Sequence, residues 1–62
     1  MRFERAVVVD DEPVFRGVLR HVLELRGMAV SVGEDGVRGL ELIRFEKPDL
    51  VITDLRMPGI GG

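Results

Sequence analysis

The run Ala6-Val7-Val8-Val9, halted at once by Asp10-Asp11, constrains this chain more than any other feature. Consecutive β-branched residues with no alternation between apolar and polar positions read as a short strand buried on both faces, as in a parallel sheet covered by helices on each side. A chain built around such a strand needs apolar layers above and below it. The remaining pattern must supply them.

It does so in alternation. From Pro13 to Arg26, Val14, Phe15, Val18, Leu19, Val22, Leu23 and Leu25 recur at spacings of three and four, with Arg16, Arg20, His21 and Glu24 between them. This predicts an amphipathic helix with Pro13 in its first turn and Gly27 as a left-handed stop; the row Phe15, Leu19, Leu23 is read as core. Met28 to Val32 reads as a second strand. Asp35-Gly36 then opens a second helix whose inward face is Leu40, Ile43 and Leu42, and Lys47-Pro48-Asp49 ends it. Gly39 within that helix costs about 1 kcal/mol relative to Ala, which makes this the weakest element. Leu50 to Thr53 is a third strand ending at Asp54, and Met57 to Gly62 reads as a loop.

The order βαβαβ with short connections predicts an α/β unit with parallel strands in the order 2-1-3. Right-handed crossovers place the two helices on opposite faces. Sixty-two residues form one compact unit at most, near the lower limit for independent folding. No cysteine is present, and His21 has no partner at zinc-ligand spacing, so packing or another chain must supply stability.

Nine Lys+Arg against eleven Asp+Glu give a net charge of -2 without a basic stripe, so nucleic-acid binding by this chain is not expected. The apolar runs are too short to span a membrane and the N-terminal residues do not form a signal-peptide core. The expected setting is the cytoplasm, with which the lack of cysteine agrees.

Asp10 and Asp11 end the first strand and Asp54 ends the third, its neighbour in the predicted order. Carboxylates thus converge at one sheet edge, where the connections diverge to opposite faces and open α/β sheets bind ligands. Gathering like charges calls for a compensating cation, and Mg²⁺ suits a few carboxylates together with phosphate oxygens. One carboxylate is then placed to attack phosphorus and form an aspartyl phosphate.

Over essentially its whole length the chain resembles the response-regulator receiver family. The resemblance rests on Val7-Val8-Val9-Asp10-Asp11-Glu12-Pro13, Arg16, Leu19, Gly27, Asp35-Gly36, Pro48-Asp49-Leu50-Val51-Ile52-Thr53-Asp54 and Met57-Pro58-Gly59. It implies a truncated doubly wound, flavodoxin-like fold in which residues 1–62 form a partial receiver domain. It further implies Asp54 as phosphoacceptor, Asp11 as a direct Mg²⁺ ligand, Asp10 as a ligand directly or through water, the backbone carbonyl of Arg56 as another, and a sensor histidine kinase as phosphodonor. The sequence departs from the family at Gly39, where Ala is usual, at Arg38, where Glu is common, and at Gly61, where Asp is common. The family continues with further strands and helices that bring a Ser/Thr and a Lys to the phosphoryl group and a switch aromatic; these 62 residues do not contain them.

Other readings compete. Asp10 and Asp11 taken alone fit a solvated helix N-terminus. His21, between Arg20 and Glu24, fits a surface residue better than a phosphodonor. Arg56 fits a solvated loop residue as well as a contact to a partner. Gly59, Gly61 and Gly62 precede no P-loop Lys-Ser/Thr and read as a hinge. A haloacid-dehalogenase-type phosphatase would carry a second Asp where Arg56 stands. The different-class alternative is a phosphorylation-incompetent receiver fragment that dimerises or binds a kinase. The third strand, apolar on both faces and without Lys, Pro or bulge signals from Leu50 to Thr53, would be a bare edge in this chain, which predicts a homodimer joined through it.

Overall fold

A computed structural model of the chain describes residues 4–53. Three parallel strands, β1 (Arg5–Val9), β2 (Ala29–Gly33) and β3 (Leu50–Thr53), lie in the order β2-β1-β3 and alternate with helices α1 (Pro13–Leu25) and α2 (Gly36–Glu46). The truncated flavodoxin-like α/β arrangement expected from the sequence is the one observed. Element ends differ by a residue or so: β1 begins at Arg5, β2 runs from Ala29 to Gly33, and Arg26 caps α1 from outside it. The Met57–Gly62 loop lies outside the described residues.

Alternate residues of β1 feed two separate cores. Ala6 and Val8 pack with Leu23, Met28 and the half-buried Leu19, Val30, Val32, Leu50 and Ile52 under α1. Val7 and Val9 face the other way, onto Leu42 and Ile43 of α2. Burying a valine side chain stabilises the fold by roughly 1.5–3 kcal/mol relative to leaving it in water, so β1 is the strand on which both layers depend.

Helix α1 starts at Glu12, whose side chain caps the Val14 amide, with Pro13 following where no N–H is required. At its far end Gly27 takes φ 85°, the Gly27 amide donates to the Glu24 carbonyl, and the Met28 amide donates to that of Leu23. This is the Schellman arrangement, with Leu23 and Met28 in the same core cluster as its hydrophobic clasp. Phe15, expected in the core row, is 52% exposed, because the α1 core stripe is carried by Leu19 and Leu23 alone. Likewise in α2, Leu42 is buried and Ile43 partly so, while Leu40 is 57% exposed.

Asp35 caps α2 by accepting the Arg38 amide at 2.8 Å. Gly39, which weakens the helix locally, allows its close approach to the sheet. A Cβ built there would stand 2.6 and 2.9 Å from the two γ-carbons of Val9. Val9 is buried and β-branched, so it has little freedom to move aside. We expect Gly39→Ala to destabilise the fold by about 1–2 kcal/mol, overpacking of about 1–3 kcal/mol outweighing a helix-propensity gain of about 1 kcal/mol. Urea unfolding followed by far-UV circular dichroism checks this; an unchanged or raised midpoint would contradict the close fit.

At the amino end of the sheet Asp49 fastens β3 to β1. Its Oδ2 accepts the Glu4 amide at 3.0 Å and the Arg5 amide at 3.1 Å, and its own amide donates to the Arg5 carbonyl at 2.9 Å. The Arg5 guanidinium donates in turn to the Glu46 carbonyl at the end of α2. The amides of Glu4 and then Arg5, with a smaller contribution from the Arg5 charge, hold the Asp49 carboxyl below its ordinary pKa. A carboxyl with a lowered folded pKa contributes stability that is complete above its unfolded pKa of about 3.9 and is lost as pH falls through the lower folded value. Asp49→Asn should therefore reduce stability at neutral pH and flatten the acid limb of the stability profile. Urea midpoints of both proteins across the carboxylate range test it; parallel acid limbs would show that Asp49 is not part of that dependence.

Candidate functional site

Asp10 and Asp11 follow β1 at the carboxyl end of the sheet. Val9 and Thr53 stand level as Cα partners of adjacent parallel strands, so the residue before Asp10 and the residue before Asp54 are neighbours across the ladder. Val9 is also level with Gly33 on the other side. Asp54 and Arg56 lie outside the described residues. Asp10 and Asp11 are described, and they differ sharply.

Asp10 is 4% exposed, the one buried charged residue among those described. Its amide donates to the Gly33 carbonyl at 3.1 Å, carrying the β1–β2 ladder one step past the strand end. Its Oδ1 accepts the Glu12 amide at 2.9 Å, folding the chain back towards α1, and its backbone carbonyl accepts Arg16 Nη1 at 2.8 Å. Among the described residues Oδ2 has no hydrogen-bond partner. A carboxylate carries several lone pairs and the Glu12 amide meets only one of them, so Oδ2 has the capacity to accept a cation. Asp11, by contrast, is exposed and has no hydrogen-bond partner among the described residues.

Neither acid of the pair caps α1, although Asp11 is solvated beside its N-terminus. The side chain that caps α1 is that of Glu12. Asp10 instead shapes the turn leading into the helix, and Asp11 remains available. His21 is exposed on α1, one residue from the Arg20–Glu24 pair at 3.9 Å, as a surface residue would be.

No group of three or more metal-ligating side chains occurs among the described residues, and a set that included Asp54 would extend beyond them. The donors that the described residues offer here are hard carboxylate oxygens, which fit Mg²⁺ rather than a transition metal.

Sequence reasoning passed over Arg16 as anything more than a family match, and it gave no task to Asp49. The signal for Arg16 was present in its position, one turn beyond Glu12 and on the side of α1 that faces the acidic turn. For Asp49 the signal required knowing that β3 lies beside β1.

A parallel α/β sheet carrying an acidic pair at the carboxyl end of its central strand places that pair where open sheets of this kind bind their ligands. Residues 6–62 match the family described as Response regulator receiver domain, and the chain belongs to that family, a family of signalling domains. It is 47% identical over 60 residues to the probable transcriptional regulatory protein NarL of Mycobacterium tuberculosis, a match covering 94% of this chain and 28% of that protein. It is 40% identical over 58 residues to the response regulator MprA of Mycobacterium ulcerans, covering 94% of this chain and 25% of that protein. The chain thus spans roughly a quarter of the length of these relatives. Among the described residues no helix is long and apolar enough to cross a membrane.

Proposed function

We propose that this chain is a phosphoacceptor module of two-component signalling, in which Asp54 takes a phosphoryl group from the phosphohistidine of a sensor histidine kinase. The observation that carries the reading is the level pairing of Val9 with Thr53, which sets the acidic turn of β1 beside the strand that leads into Asp54. Membership of the receiver family supports it. An Asp54 carboxylate oxygen attacks phosphorus as the bond from phosphorus to the imidazole nitrogen breaks. The electron pair stays on the departing imidazole, which takes up a proton, and the product is an acyl phosphate.

Asp10, Asp11, Asp54 and the backbone carbonyl of Arg56 would hold Mg²⁺. When bound, the ion would supply positive charge to offset the carboxylates and the phosphoryl oxygens. Asp10, held by several bonds, would offer a fixed oxygen, and Asp11, exposed and without a hydrogen-bond partner among the described residues, would offer a direct ligand. Acetyl phosphate with Mg²⁺ should add one phosphoryl group to the chain, seen by intact mass, and Asp54→Asn should abolish the addition. Mg²⁺ affinity by calorimetry should fall further in Asp11→Ala than in Asp10→Ala. Phosphorylation of Asp54→Asn at the wild-type rate, or equal Mg²⁺ affinity in Asp11→Ala and wild type, would overturn the assignments.

A dimerising role is favoured by a second observation. Among the described residues β3 pairs only with β1, and Val51 is 40% exposed beside an apolar groove of about 270 Å³ lined by Val9, Leu40, Ile43 and Thr53 among others. Two copies of this chain pairing β3 to antiparallel β3 about a twofold axis would complete the ladder and close the assembly. Sedimentation of the 62-residue chain should give a dimer, and Val51→Pro should abolish folding by removing a ladder donor. A folded monomer at low micromolar concentration would refute the dimer.

A further inference from the structure

We propose that Arg16 is a positioning residue for the cation site, bracing the acidic turn from the α1 side. The inference rests on the metal-site reading above and deepens it. Asp10 is gripped from two elements: β2 holds its amide through the Gly33 carbonyl at 3.1 Å, and α1 holds its carbonyl through Arg16 Nη1 at 2.8 Å. With Oδ1 already committed to the Glu12 amide at 2.9 Å, these bonds fix the peptide between Asp10 and Asp11 as well as the Asp10 side chain.

Arg16 is itself well anchored. Its amide donates to the Glu12 carbonyl at 2.9 Å in the first turn of α1, and its side chain is half-buried. A guanidinium presents several donors in a rigid plane, so it can fix a carbonyl's direction where a flexible ammonium cannot. Without it, a carbonyl in a residue only 4% exposed loses its partner. The peptide then turns towards water, and the oxygens on either side of it move apart.

Arg16 also brings positive charge close to a site meant for a cation, so two effects oppose each other. The guanidinium is partly solvated and bonded to a backbone oxygen, which screens its repulsion of the ion. Loss of an outer partner that orients a ligand, by contrast, lowers metal affinity by roughly ten- to a hundredfold. Positioning is the larger effect.

The test is Mg²⁺ titration by calorimetry of the wild type, Arg16→Gln, Arg16→Lys and the control Arg20→Gln, each checked for folding by far-UV circular dichroism. We expect Arg16→Gln to weaken Mg²⁺ binding by about tenfold, Arg16→Lys to recover part of the loss, and Arg20→Gln to match wild type. Arg20 pairs with Glu24 on the outer face of α1. Amide exchange should quicken at Glu12 in Arg16→Gln and stay slow at Val8. A folded Arg16→Gln that binds Mg²⁺ as tightly as wild type, or more tightly, overturns this inference alone. If Arg16→Gln does not fold, Arg16→Lys decides, wild-type affinity overturning the proposal and reduced affinity supporting it. A wild type that binds no Mg²⁺ overturns the metal reading and this inference together.

Discussion

Burial of β1 on both faces is the constraint from which the rest of this structure follows. Val7 and Val8 have no exposed surface and Val9 almost none, so each face of the strand must be covered by a helix and each edge by another strand. Both helices pack on it from opposite sides, and both other strands pair with it. The demand is strict enough to shape α2: Val9 occupies the volume that a side chain on residue 39 would fill, which turns a weak helix position into a contact surface. The same strand then ends in the acidic turn, so the packing that makes the fold also sets where that turn stands.

The two ends of the sheet carry different work. At the amino end, Asp49, Arg5 and the end of α2 are joined by hydrogen bonds that hold strands and helix in register. At the carboxyl end, Asp10 is bonded on several sides while Asp11 is left open to water. Such a division is characteristic of open α/β sheets, whose ligands collect outside the carboxyl ends of the strands. Asp49 at the amino end is bound up in strand pairing, whereas Asp11 at the carboxyl end faces water.

Strand order, parallel direction and element sequence were legible because a doubly buried strand and short crossovers leave few alternatives. The C-terminal stop at Gly27 was legible because positive φ singles out glycine. The core face of each helix was less so. Helix α1 carries two neighbouring apolar stripes, and periodicity alone does not say which meets the sheet, so Phe15 was placed inside with Leu19 and Leu23. Leu40 fell to the same ambiguity on α2. The grip of Asp49 on β1 and of Arg16 on Asp10 were hidden for another reason: side chains that bond to distant or folded-back backbone leave no periodic trace. Within the candidate site, the acidic pair and its placement at a strand end were readable, while the unequal environments of Asp10 and Asp11 depend on the turn geometry.

The bond between Glu4 and Asp49 spans 45 positions of sequence, and that separation governs the order in which the molecule can assemble. Closing so long a loop carries an entropic cost that nearby contacts do not, so pairing of β1 with β2 can precede pairing with β3. A chain emerging from the ribosome exposes the bare β1 edge until Leu50 to Thr53 have followed it out. For that interval the valines that anchor the finished fold form a sticky unfinished surface, the state in which nascent parallel sheets are most prone to misassociate. The Asp49 clip is among the last contacts to close, and it retires that hazard by sealing β1 on its second side.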